Sequence, residues 1–220
     1  MSKKSAEILY AAIIDRILCG EIRSGDVLSE VALAAESGLS RTPVREALQR
    51  LRRENVLMPG PRRTLLVRRM RRDEVRGLFE ALGEVEGACA RLASERMDAA
   101  AIEALSRIVD EADAAPEAFN EINIRFHAAI HAGAQNPVLR DVLVDLQLRS
   151  LPLRAVQFRL KHDRVATSQA EHRAILAAIS ARDGARAQAL MAEHMAATLA
   201  VILQVTPDDA AQPAEGAAGA

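Results

Sequence analysis

The chain has 220 residues, half of them apolar and 27% charged, with a formal net charge of −1. That length accommodates two domains with real cores, and the near-neutral balance excludes a whole-molecule nucleic-acid binder while leaving room for one basic module. No apolar run reaches the ~18 residues of a membrane helix, Met1-Ser2-Lys3-Lys4 lacks the apolar core of a secretory signal, and Cys19 and Cys89 are too few for a disulfide framework or zinc ribbon; the expectation is a cytoplasmic protein, with no membrane partner and both cysteines reduced in cores.

In chain order, residues 5 to 19 predict a helix that packs Ile8 and Ala12 together with Leu9, Ile13 and Ile17 onto a small core. Leu28 to Ala35 predicts a shorter helix, and Ser37-Gly38-Leu39 a tight turn whose glycine can take positive φ. A third helix opens at Ser40-Arg41-Thr42-Pro43, where Ser40 or Thr42 can cap and Pro43 falls in the first turn without breaking a helical bond. Val44, Leu48 and Leu51 then recur at i, i+4 and i+7 and can bury one stripe. Arg41, Arg45, Gln49 and Arg52 line the neighbouring stripe.

That second stripe suits the major groove, since guanidinium pairs with guanine O6 and N7, a glutamine amide reads adenine, and Ser or Thr hydroxyls bond phosphate oxygens. A solvated basic face is the plain alternative, and the flanking sequence decides between them. Val56-Leu57-Met58 and Thr64-Leu65-Leu66-Val67 are strand-length apolar runs around Pro59-Gly60-Pro61-Arg62-Arg63, which predicts a β-ribbon with a basic tip. Helix, turn, helix and ribbon in this order predict a winged helix-turn-helix. Charge agrees: residues 1 to 69 carry thirteen Lys or Arg against eight Asp or Glu, and between Arg41 and Arg72 there are eleven arginines and two acids. The positive field is focused where phosphates would bind.

Beyond a linker at about residues 68 to 72, alanine and leucine recur at three- and four-residue spacing with few breaks. Helices are predicted over 73–96, 98–113, 117–133, 137–160, 163–181 and 183–204, with Pro152 expected to kink the fourth. The fold class is therefore mainly α, a winged helix with a small β-ribbon followed by an all-α bundle over 73–205, and residues 206–220 have the composition of a disordered tail. His127, His172 and His194 fall on three separate predicted helices, and Asn123 precedes His127 by one turn. Three imidazoles and an oxygen can bind a first-row divalent ion, although separate helices prove no convergence. His131, one turn beyond His127, is either a spare ligand or, with more weight, a surface or cavity histidine; His162 is expected in solvent.

Residues 5 to 69 resemble the DNA-binding domain of the GntR family of bacterial transcription regulators. Ser40-Arg41-Thr42-Pro43-Val44-Arg45-Glu46-Ala47-Leu48 matches the family signature, and Gly20 to Glu30 stands where the family has its glycine-rich turn and following Leu-x-Glu. The resemblance implies DNA contacts at Arg41, Thr42 and Arg45 and a wing tip near Arg62 and Arg63 that enters the minor groove. Thr64 stands where the family usually has glycine, a departure that bears on the wing's path.

The second domain resembles the FCD-type effector domain of the FadR-like branch. Asn123-x3-His127 is followed by His172 after 44 intervening residues and by His194 after 21 more, and Phe126-His127 and Glu171-His172 sit as in that domain. The resemblance implies a divalent metal ion, zinc, nickel or similar, on Asn123, His127, His172 and His194. It also implies a small carboxylate effector, a homodimer on a near-palindromic operator, and repression as the commoner outcome. Position 123 is commonly aspartate in the family, so the amide removes a charge from the site. Gly83 stands where the family often has an arginine, and Arg149 and Arg154 are candidates for a replacement effector contact. Two rival classes are a metal-dependent helical enzyme with a basic appendage and an effector-independent DNA-binding protein. The first lacks a His-Glu-x-x-His motif and a visible acid–base pair, and the second leaves the histidine spacing unexplained.

Overall fold

Ala6, Leu9, Ile13 and Ile17 recur at three- and four-residue spacing, and in the computed structural model, which describes residues 2–61, 64–157 and 162–206, they form the buried stripe of α1 (Ser2–Leu18). Ile8 and Ala12, expected on that stripe, lie outside it, with Ile8 62% exposed. Each stands one residue before Leu9 or Ile13 and is therefore rotated about 100° away from the core. Cys19 follows the last helical residue and is exposed, contrary to the expectation of two core cysteines, whereas Cys89 is buried.

Val27 and Leu28 do not open the next helix; they form the short strand β1 (Val27–Leu28), and Ser29 behind them is extended and caps α2 (Glu30–Ser37) by accepting the Val31 N–H at 3.3 Å. The expected helix thus starts two residues later, where a good N-cap stands. Gly38 ends α2 in the left-handed region at φ 67° and turns the chain into α3 (Arg41–Arg53). Ser40 occupies the N-cap position but its hydroxyl makes no cap hydrogen bond. Val44, Ala47, Leu48 and Leu51 are buried as the apolar spacing requires.

The ribbon consists of β2 (Leu57–Pro59) and β3 (Leu65–Val67), paired antiparallel with Leu57 opposite Val67 and Pro59 opposite Leu65. β1 adds to the free edge of β3, giving the order β1-β3-β2. The Gly60 N–H donates to the Thr64 carbonyl at 2.9 Å, so Thr64 closes the turn at the base of the tip. Arg62 and Arg63 lie outside the described residues.

The remaining helices follow the predicted order: α4 (Arg72–Arg96), α5 (Ala99–Ala114), a 3₁₀ turn over Pro116–Ala118, α6 (Phe119–Gly133), α7 (Pro137–Gln157), α8 (His162–Ser180) and α9 (Gly184–Val205). Their starts are written in the sequence. Asp98 accepts the Ala101 N–H, Asn136 Oδ1 accepts from Val138 and Leu139, and Asp183 accepts from Arg186. Pro152 is inside α7, which continues to Gln157. Residues 76–146 and 158–204 form one compact unit, with Leu82, Leu105, Phe126, Ile130, Leu143, Ile175, Ile179 and Met191 in its interior. Residues 1–75 group with 147–157, and Leu151 belongs to the core of that unit. Of the tail expected over 206–220, residues 207–220 lie outside the described residues. Among the described residues no helix is long and apolar enough to cross a membrane.

Candidate functional site

Burying Val44, Leu48 and Leu51 fixes the rotation of α3, and the same rotation leaves Arg41, Thr42, Arg45, Gln49 and Arg52 exposed, with Ser40 exposed just before them. The guanidiniums are not folded inward. Arg45 is engaged from one side: its Nε donates to Glu30 Oε1 and its Nη2 to Glu30 Oε2, each at 3.0 Å. The pair is exposed and adds little stability, but a two-pronged grip sets the direction of the side chain. Arg50, one residue past Gln49, is part of the scaffold. Its guanidinium lies 3.8 Å over the Tyr10 ring and its Nε donates to Glu54, which also accepts the Tyr10 hydroxyl at 2.7 Å. Burial, helped by the hydrogen bond to Glu54 and by its charge, pushes the Tyr10 phenol up to about 12, so this tie between α1 and α3 is insensitive to ordinary pH.

The second site lies within the helical unit. α6 carries His127, α8 carries His172 and α9 carries His194, and one ligand nitrogen from each falls within 4.8 Å of the others. The ring centroids are 4.8 Å apart for His172 and His194 and 5.3 Å apart for His127 and His194. Phe126 stacks on His172 with centroids 4.0 Å apart, which fixes that ring from its face. Asn123 stands one turn before His127 on α6 and is half-buried.

Carboxylates hold two of the three rings. His194 Nδ1 lies 2.6 Å from Glu171 Oε2, and Glu171 is gripped in turn by Arg164, whose other donors reach the Thr198 hydroxyl and the His194 carbonyl. His127 Nδ1 lies 3.2 Å from Glu86 Oε2, an oxygen that also meets His131 Nε2 at 2.7 Å. His131 is therefore a part of the buried surroundings of the cluster. Sequence reasoning passed over Glu86 and Arg164, although both leave a trace. Glu86 stands on the apolar stripe of α4 with Leu82, Cys89 and Ala93, where an acid is out of place, and Arg164 precedes Glu171 by two turns on one face of α8.

Burial drives His172 and His194 toward the neutral form, and the neighbouring positive groups reinforce this in both, while Glu171 opposes it in His194 without reversing it. Burial alone would raise the carboxyls of Glu86 and Glu171. The charge and hydrogen bonding of His127 and His131 for the first, and of His194 and Arg164 for the second, outweigh it and hold both ionised. A neutral imidazole with a carboxylate on one of its nitrogens, as His194 has in Glu171, is the electronic state that a divalent ion requires of a ligand. His172 Nε2 is the sharpest feature: it is buried and has no hydrogen-bond partner. An orphaned buried nitrogen costs free energy unless something fills it, and three convergent ring nitrogens fit a first-row divalent ion.

Of the two expected effector contacts, Arg149 lies on α7 in the 147–157 stretch, and the side chain of Arg154 is outside the described residues. Arg164 reaches the cluster through Glu171 and the His194 carbonyl. At Gly83, an added Cβ would meet only Met195, at 3.7 Å, so the backbone there has room for a side chain.

Residues 77–197 match the FCD domain family, and residues 5–67 match the bacterial regulatory proteins of the gntR family. The chain belongs to the GntR regulators that carry an FCD domain. Among relatives, it is 28% identical over 214 residues to the HTH-type transcriptional repressor GlaR of Escherichia coli, covering 89% of this chain and 94% of that one. It is 27% identical over 201 residues to the HTH-type transcriptional regulator LutR of Bacillus subtilis, covering 80% and 91%. The solved structure of E. coli McbR/YncC superposes with a TM-score of 0.80 at 23% identity, covering 91% of this chain and 97% of that one, and so shares the fold. This GntR/FCD protein is a transcription regulator, and its family's members are regulators rather than enzymes.

Proposed function

We propose that the protein is a repressor that binds a palindromic operator as a homodimer and responds to a small carboxylate near a divalent ion held by Asn123, His127, His172 and His194. The observation that supports this reading is the convergence of the three imidazoles, one of which, His172, has a buried Nε2 with no hydrogen-bond partner. When bound, the ion supplies positive charge and Lewis acidity to an anionic ligand. The chain's own residues do the rest. Glu171, with Arg164 behind it, orients His194; Phe126 holds the His172 ring; Glu86 meets His127.

On the DNA side, Arg41, Thr42, Arg45, Gln49 and Arg52 face solvent from α3, where Arg45 and Gln49 can read base edges and Ser40 and Thr42 can bond phosphates. Arg62 and Arg63 extend the contact from the wing. A single α3 reads one short half-site, so a two-fold dimer on an inverted repeat provides the affinity that one copy lacks. Repression is in keeping with the name of the relative GlaR.

The test is operator binding followed by fluorescence anisotropy, with the operator taken from the inverted repeat upstream of the gene. A panel of small organic acids is added to the metal-loaded and to the chelated protein. At least one acid is expected to change operator affinity in the loaded protein alone. A response to no acid in either form, with full DNA binding, would leave an effector-independent DNA binder and refute the sensor.

A further inference from the structure

His127 belongs to two groups at once. With His172 and His194 it forms the ligand cluster; with Glu86 and His131 it forms a second triad, which it joins through Nδ1. Glu86 is 1% exposed, and a carboxylate so buried is tolerated only where partners hold its charge. His127 Nδ1 and His131 Nε2 meet the same oxygen, Oε2. The ligand set itself is neutral, because position 123 carries an amide.

We propose that Glu86 is the positioning residue of the histidine cluster: its Oε2 accepts the His127 Nδ1–H, which leaves the Nε2 lone pair for the cation, and its charge replaces the one that Asn123 does not provide. His131 shares the oxygen from the other side and limits where the carboxylate can swing. The inference rests on the metal reading given under Proposed function, but its first consequence concerns the metal-free protein. His127 should be the Nδ1-protonated tautomer there, a state set by the carboxylate and readable without any ion.

The experiment pairs ¹⁵N NMR of the histidine side chains in the chelated full-length protein with zinc titration by calorimetry, on wild type, Glu86→Gln, Glu86→Leu and His131→Ala. Far-UV circular dichroism and melting of each variant check the fold. The wild type is expected to show His127 with its proton on Nδ1. Glu86→Gln, which keeps an acceptor and loses the charge, should bind zinc about 10-fold more weakly, and Glu86→Leu, which loses both, about 100-fold more weakly with an altered His127 tautomer. His131→Ala should stay within about threefold of wild type. An Nε2-protonated His127 in the wild type overturns the proposal even if no variant folds. So does unchanged zinc affinity in folded Glu86→Leu, or a wild-type stoichiometry of two ions that drops to one in His131→Ala, since Glu86 and His131 would then be ligands of a second ion. If the wild type binds no zinc while His127 holds the expected tautomer and Glu86→Leu alters it, the positioning role stands and the metal reading fails.

Discussion

Arg45 and Arg50 are separated by little more than one helical turn and have opposite assignments, because of what each meets. Arg50 is stacked on Tyr10 and bound to Glu54, so its charge is spent inside the domain. Arg45 is gripped along one edge by Glu30, and the reading proposed above gives the rest of its guanidinium to a base. Arg45→Ala should therefore weaken specific operator binding roughly 10- to 100-fold and relax base preference at one position, with little change in melting temperature. Anisotropy against the operator and a scrambled duplex checks this; equal losses on both would show Arg45 to be a phosphate contact. The sequence displayed Arg45 on the correct stripe but not its grip by Glu30, because a pairing across fifteen residues depends on how α2 docks on α3. His131 escaped for the same reason. Its one-turn offset from His127 was plain, while the acid it meets comes from α4.

At the scale of elements, periodicity located the helices well, and the errors fall where a residue type outranks the period. Leu28 opens the predicted second helix yet pairs with β3, because Ser29 is a better helix start. Ile8 fits a helical pattern by itself, but the four-residue rhythm of Leu9, Ile13 and Ile17 wins the core. Helix α4 offers an internal comparison of two glycines. Gly77 has open space where a Cβ would go, whereas at Gly87 a Cβ would sit 3.1 Å from the Gln188 carbonyl of α9. Gly77→Ala should thus stabilise the protein by about 0.5–1 kcal/mol through helix propensity, and Gly87→Ala should forfeit that gain by pushing α9 away. Melting of the two variants decides it; equal stabilisation would mean that α4 and α9 are not packed this closely.

For the whole molecule, two units are built separately, a basic one with an exposed arginine-bearing helix and a helical one with a buried polar cluster. The cluster makes stability depend on pH. His172 and His194 are held neutral below their ordinary value of 6.5 in the folded chain, while the unfolded chain takes up protons there. Their contribution is present above about pH 6.5 and is lost as pH falls, and Glu86 and Glu171, also held low, extend the loss below about 4.5. Metal-free protein should accordingly melt at a lower temperature at pH 5.5 than at pH 7.5, and a flat profile would mean that these imidazoles are solvated. The sequence held the identity of both units and the spacing of the ligands. It could not hold convergence, since three helices brought together by Leu82, Ile130, Ile175 and Met191 bury a centre that no local window contains. The central claim is that His127, His172 and His194 act as one cation site. Calorimetric titration of chelated protein with zinc tests it most directly: the account predicts one ion per chain in the wild type and none at the same concentrations in His172→Ala, whereas no binding by the wild type, or equal binding by the variant, would contradict it.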